Sequence, residues 1–261
     1  MTLKVSSQEN ISFRARLLSQ WKCSSADKLH SKNISIISLG RDDVAFAEYM
    51  LKLIPKLSYI GSACKHVLED SSITLNSLLN SQNVKLDKKT KIYIAVYDAK
   101  PCGLLIGNMP KQSGENGKIV YSSRHNNARN EAELDWLVTW PPQENVGIRG
   151  VGKALVGEYL RTIKSDKFRD VYVRSELPEI SVAQDFYESL GFEILSDKRK
   201  MWESRTTNLP LTRSCDNVTE MMVPMLITRK KIIETLENLV HKMSRRGFIQ
   251  KEEPIETLVD M

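Results

Sequence analysis

From Lys91 to Tyr97 the order K-I-Y-I-A-V-Y puts Ile92, Ile94 and Val96 at every second position, and C-G-L-L-I-G follows a D-A-K-P turn. A period of two with a short polar turn predicts two antiparallel strands. Ile34 to Leu39 reads as an earlier short strand. Asp42 or Asp43 is placed to cap a helix through Phe46, Met50, Leu51 and Leu53 that stops before Pro55, and a second helix is expected from Ser71 or Ser72 to about Leu79. The G-E-N-G turn at 114–117 leads to a short strand, Lys118 to Tyr121, and the polar stretch after it is an exposed loop.

The second half is more sharply punctuated. A-E-L-D-W-L-V-T-W, from Ala132 to Trp140, is strand-like; G-I-R-G-V-G breaks it; K-A-L-V-G-E-Y-L-R-T-I-K is an amphipathic helix with Val151, Leu155, Tyr159 and Ile163 on one stripe. D-V-Y-V-R at 170–174 is the next strand, then a helix ends in F-Y-E-S-L-G, with Gly191 at a left-handed cap, and Phe192 to Leu195 opens another strand. M-M-V-P-M-L-I is expected at a sheet edge, where the N–H that Pro224 lacks is not needed. Residues 229–246 form a helix with Ile232, Leu236, Leu239 and Met243 on one face. Residues 1–32 are polar and serine-rich, with a helix-compatible patch at Ile11, Phe13 and Leu17-Leu18, and are read as a variable segment, partly disordered or used for targeting.

The fold class predicted is α/β (α+β): a mixed, mostly antiparallel central sheet of about six or seven strands flanked by helices, occupying 33–229, with an N-terminal segment 1–32 and a C-terminal helical extension and tail 230–261. A hydrophobic share of 41% and a charged share of 27% are those of a globular chain. No apolar run approaches the roughly 20 residues that span a bilayer, and the N-terminus lacks the apolar core of a signal peptide, so a soluble, cytoplasmic protein is expected. Cys23, Cys64, Cys102 and Cys215 are scattered without a C-x-x-C pair or a histidine at ligand spacing; they read as reduced thiols, and no metal site is expected.

A net charge of +6 fits a protein that meets an anion. Residues 229–246 hold six Lys/Arg against two Glu, yet the apolar stripe of that helix docks on the domain and leaves the charges solvated. Nucleic acid is therefore not the expected partner, and the other basic feature decides. Gly147, Gly150 and Gly152 flank Arg149 at a strand-to-helix turn, with Lys153 in the first helical turn. Glycines let backbone N–H groups converge, and the helix dipole favours an anion there. Two cations at a helix start oppose that dipole and so point to an anionic occupant. The spacing is neither the dinucleotide G-x-G-x-x-G nor a phosphate loop ending in Gly-Lys-Ser/Thr.

Four segments in order, A-E-L at 132–134, Pro141, G-V-G-K-A-L at 150–155 and A-Q-D-F-Y-E-S-L-G-F at 183–192, resemble the GCN5-related N-acetyltransferase (GNAT) superfamily over about a quarter of the chain. The resemblance implies an N-acyltransferase that binds acetyl-CoA, or another acyl-CoA, as co-substrate and acylates a primary amine on a small molecule or a protein. It implies cofactor contacts at Leu137, Val138 and Thr139, where a splayed strand meets the thioester carbonyl, and along the turn at Gly147, Ile148, Arg149, Gly150, Val151, Gly152, Lys153 and Ala154. Tyr187 matches the tyrosine that protonates the departing thiolate, a phenol near pKa 10 being a credible donor. Glu133 and Asp135, on one face of the strand, are the candidate bases. His125 lies in the polar loop, while His30, His66 and His241 have no partner pattern; Trp136 and Trp140 read as core or pocket walls.

Three departures stand beside the match. Gly147 takes the place where the family carries Gln or Arg, the loop from Pro141 to Gly150 is two or three residues longer, and Ile180 replaces a common Asn. They leave open the alternative of a CoA-sensing or protein-interaction module of the same fold without turnover.

Overall fold

The computed structural model describes residues 16–26, 30–40, 43, 49, 52–53, 56–80, 90–108, 131–165, 170–176, 182–194 and 222–247. The helix expected around Phe46 falls largely outside these residues. The strand at Lys118–Tyr121, the loop with His125, Ile180 and Cys215 fall wholly outside.

Ten described strands form one sheet in the order β10-β1-β2-β3-β4-β5-β7-β9-β8, with β6 off this path and paired to β1. They are β1 (Arg16–Ser25), β2 (Ser31–Leu39), β3 (Thr90–Tyr97), β4 (Lys100–Asn108), β5 (Glu131–Thr139), β6 (Ile148–Arg149), β7 (Asp170–Glu176), β8 (Glu193–Ile194), β9 (Met222–Thr228) and β10 (Arg246–Gly247). The described helices are α1 (Ser62–Asn80), α2 (Val151–Ser165), α3 (Ala183–Glu188) and α4 (Arg229–Met243). The sheet is mixed and mostly antiparallel, as expected, and larger than expected. β5 and β7 pair in parallel through the α2 crossover, while every other described pair is antiparallel.

Two cores lie on opposite faces. Trp21, Ile34, Ile36, Leu105, Leu134 and Val173 pack with α2, α3 and α4 on one. Ile37, Ile92, Ile94, Leu104, Val138 and Trp140 pack against Leu68 and Leu75 of α1 on the other. The stripe Val151, Leu155, Tyr159 and Ile163 is wholly inside the first core, and so is Ile232, Leu236, Leu239 and Met243.

Four expectations are corrected. The patch at Leu17-Leu18 is no helix: it opens β1, which pairs with β2 from Arg16–Ser38 to Ser24–Ser31 and buries Trp21 and Cys23. Helix α1 begins at Ser62, well before Ser71, because its buried face carries Ser71 and Ser72 between Leu68 and Leu75 and so hides its apolar period. β9 is flanked on both sides, but among the described residues β8 pairs only with Met225 and Leu226, so Pro224 lies next to the described end of that ladder. The last helix stops at Met243, where Ser244 turns left-handed (φ 46°), and Arg246 belongs to β10. The segments on either side of the expected boundaries at 32/33 and 229/230 thus share one sheet and one core. No helix of the described residues is long and apolar enough to cross a membrane.

Candidate active site

β5 changes character half-way. Opposite it on β4, Ile106 pairs with Trp136 but Gly107 pairs with Leu134, so the two steps past Asp135 match one on β4. This bulge resets the alternation of the strand. Ala132 and Leu134 before it and Leu137 after it lie on the first core, whereas Trp136, Val138 and Trp140 lie on the second. β5 pairs with β7 only from Glu131–Asp170 to Leu134–Val173, and β7 continues to Glu176 on β9 alone. From Asp135 to Thr139 the backbone edge of β5 that had faced β7 is released from that ladder. The released stretch includes Leu137, Val138 and Thr139.

Tyr159 of α2 pins the bulge. Its hydroxyl, on a side chain with no exposed surface, shares its one proton between the carbonyls of Glu133 at 2.9 Å and Asn108 at 3.1 Å. The ring crosses over Gly107, where a Cβ would lie 2.6 Å from it, so only glycine fits there. Burial, with the nearby carboxylates of Asp135 and Glu133 and the Tyr93 phenol, pushes the Tyr159 hydroxyl well above its ordinary pKa and keeps it a donor.

The turn lies at the end of β5 where it has left β7. β6 pairs with the outer edge of β1, Ile148 opposite Ser25 and Arg149 opposite Ser24, and the Ala26 N–H donates to the Gly147 carbonyl at 2.9 Å. A Cβ at Gly147 would approach that of Ala26 to 2.7 Å. The departure at Gly147 therefore has a packing cause. Gly150 has φ +95°, a region that L side chains avoid, and starts α2. The first helical bond is donated by Ala154 to the Gly150 carbonyl at 2.9 Å, which leaves the N–H groups of Val151, Gly152 and Lys153 ahead of the helical ladder. No acidic residue occupies the first turn of α2; Lys153 is half-buried and Arg149 exposed. These groups fit a pyrophosphate: converged N–H donors, two nearby cations and no competing carboxylate in that turn.

Gly152 joins the parts. A Cβ there would lie 3.3 Å from the Phe186 ring and 3.7 Å from Thr139 Cγ2, so α2, the end of β5 and α3 meet at this residue. Tyr187 follows in α3, 6% exposed, with edge-on ring contacts to Phe186 and Phe192 at centroid distances of 5.2 and 5.4 Å. Its carbonyl accepts from the N–H groups of Leu190 and Phe192, a tight cap closed by Gly191 at φ +84°. Glu133 and Asp135 flank Leu134 and are half-buried; Asp135 receives a hydrogen bond from the Asn108 amide. His30, His66 and His241 are exposed, and His66 pairs with Asp70 at 3.5 Å.

No family model matches this chain, and no curated protein does. Solved structures do. One is the PaiA N-acetyltransferase from Thermoplasma acidophilum in complex with coenzyme A, 15% identical over 75% of this chain and 98% of that one, at TM-score 0.43. Another is the ribosomal-protein-S18-alanine N-acetyltransferase from Escherichia coli, 15% identical over 75% and 93%, at TM-score 0.42. A third is an uncharacterized protein from Bacillus halodurans, 13% identical over 87% and 98%, at TM-score 0.47. With so few residues shared, the functional reading rests on the residues of this chain.

Sequence reasoning missed Tyr159, Gly107, Asn108 and Ala26. Tyr159 was visible as one hydroxyl in an otherwise aliphatic stripe, whereas nothing local marks Ala26 as the neighbour of Gly147. On the second-core side of the β5 end lies a cavity of about 480 Å³ lined by Tyr49, Leu53, Tyr59, Lys100, Pro142 and Glu144. Tyr59 donates to the Pro141 carbonyl at 3.2 Å, and burial followed by the Glu144 charge raises its pKa. Among the described residues no cluster of His, Cys, Asp and Glu is gathered to hold a metal.

Proposed function

We propose that this chain is a cytoplasmic N-acyltransferase that takes acetyl-CoA, or a close thioester relative, and passes the acyl group directly to a primary amine. The observation that carries the reading is the meeting at Gly152 of the α2 N-terminus, the released end of β5 and the α3 helix with Tyr187. The N–H groups of Val151, Gly152 and Lys153, with Arg149 alongside, hold the pyrophosphate. The freed edge of β5 at Leu137–Thr139 aligns the thioester, its N–H groups polarising the carbonyl.

The amine enters beside β5, the cavity lined by Tyr59 and Glu144 being the nearest room for its substituents. Its nitrogen forms the new N–C bond as the C–S bond breaks; Tyr187 delivers a proton to the departing thiolate, and the proton lost by the amine passes to Glu133 directly or through water. Glu133 is preferred to Asp135, whose carboxylate already receives the Asn108 amide.

Titration with acetyl-CoA tests this. Wild type is expected to bind, and Gly152→Trp, which fills the space before Phe186 and Thr139, to lose binding by at least about 100-fold while keeping its fold. Wild type that binds neither CoA nor its thioesters rules the reading out. The non-catalytic module is favoured by the departure at Gly147, but contact with Ala26 accounts for that residue without loss of function. Acyl transfer that disappears in Tyr187→Phe separates the two readings.

A further inference from the structure

We propose that the C-terminal segment from α4 to β10 is a clamp that holds the glycine turn in its anion-binding shape, with Met243 and Arg245 as positioning residues; this rests on the acyl-CoA reading of the turn. The contacts form a closed ring. Met243, the last residue of α4, covers Gly150: a Cβ on that glycine would sit 3.3 Å from Met243 Cε and 3.7 Å from Cys23 Sγ. Ser244 then reverses the chain, its N–H bonded to the Val240 carbonyl at 2.9 Å. Arg245 crosses the Trp21 ring, 5.9 Å from its centroid, and places Nε 3.1 Å from Glu158 Oε2.

Glu158 is a charged residue of α2 with no exposed surface. It also accepts from Ser19 Oγ at 2.8 Å and Arg161 Nε at 2.7 Å. Burial pushes its carboxyl pKa up, but the two arginines outweigh burial and hold it below the ordinary value. Arg246 and Gly247 continue onto β1 opposite Gln20 and Ser19, and β1 in turn carries β6, the strand that leads into the turn. Midway along α2, Gly157 lets the Trp21 ring and Leu239 come within 3.0 and 3.2 Å of its Cβ position.

The same segment therefore grips α2 at Glu158 and at Gly157 and the turn at Gly150, and at the first of these the carboxylate has no exposed surface, so only matched geometry from Arg245, Arg161 and Ser19 repays its desolvation. Contact between α4 and the helix that carries Tyr187 is made elsewhere, by Thr235, whose hydroxyl donates to the Leu190 carbonyl at 2.9 Å. The clamp acts on the shape of the turn before ligand arrives. N–H groups already converged bind phosphate without first being ordered, and that advantage appears in cofactor affinity rather than in the chemical step.

The test uses the full chain, with Met243→Ala, Met243→Leu and Arg245→Gln beside wild type. Amide hydrogen exchange is measured without ligand, followed by the KM for acetyl-CoA and kcat at saturation. The clamp predicts exchange about tenfold faster at the two amides that close the turn, Ala26 and Ala154, whose N–H groups are bonded to the Gly147 and Gly150 carbonyls, in Met243→Ala and Arg245→Gln, with β3 and β4 unchanged. It predicts a KM for acetyl-CoA raised about tenfold with kcat within about twofold, and near-recovery in Met243→Leu. Unchanged exchange in the turn, or equal acceleration in β3 and β4, overturns it. Absence of acetyl-CoA binding by wild type overturns the acyltransferase reading instead, and the exchange data still decide the clamp.

Discussion

The two flanks of the glycine turn are built for different ends. On the flank of Gly152 the neighbours are Phe186 and Thr139, which belong to separate elements around the released end of β5. On the flank of Gly147 and Gly150 the neighbours are Ala26, exposed just past the end of β1, and Cys23 and Met243, which belong to the first core. One flank is left accessible by the absence of a side chain; on the other, the absence of side chains lets the core close. Glycine at both therefore carries opposite meanings, and substitution separates them: the open flank should lose binding or turnover, the closed flank stability.

The largest effect is expected at the open flank. Tyr187→Phe should lower kcat by about 10² to 10⁴, the usual scale for losing a general acid, with acetyl-CoA affinity and melting temperature little changed. A variant that keeps full activity would remove Tyr187 from the chemistry. At the closed flank, Gly147→Val forces a side chain against Ala26, already 2.7 Å from a Cβ. A loss of about 1–3 kcal/mol in denaturant unfolding is expected there; weaker CoA binding without any loss of stability would show that Gly147 belongs to the open flank.

Tyr159→Phe should cost about 1–3 kcal/mol, because it leaves the buried carbonyls of Glu133 and Asn108 without that donor. A loosened splay would then appear as faster amide exchange around Asp135. The smallest effect is a pH dependence. Glu158 is held below its ordinary pKa when folded, so its contribution is present above the unfolded value and is lost as pH falls through the lower folded one. Unfolding of Glu158→Gln should be less acid-sensitive than wild type in that window, and identical acid profiles would contradict the buried ion pair.

The open flank was legible in sequence and the closed flank was not. Gly152 and Lys153 stand in a local strand–turn–helix pattern, and the helix with Tyr187 ends in its own glycine cap, so short windows hold the signal. The same holds for the β3–β4 hairpin and for the buried stripe of α2. Ala26 and Gly147 are far apart in the chain, and no local period announces that they touch. Leu17 and Leu18 looked helical because β1 buries Ser19, Trp21 and Cys23 among polar residues, an alternation that Ser19 disguises until its bond to Glu158 is seen. The bulge at Asp135 was hidden for a different reason: A-E-L-D-W-L-V-T-W reads as one unbroken strand, and the slip is imposed by Tyr159 and Gly107 from two other elements.

The central claim is that the α2 N-terminus holds the pyrophosphate of an acyl-CoA. The position of that group in a crystal of the CoA complex tests it most directly. Phosphate oxygens within about 3 Å of the N–H groups of Val151, Gly152 and Lys153, with the thiol end in the gap between β5 and β7, are the predicted result. Phosphates seated elsewhere, for instance in the cavity lined by Lys22, Asn33 and Arg246 on the far side of β1, with the turn left empty, would contradict it.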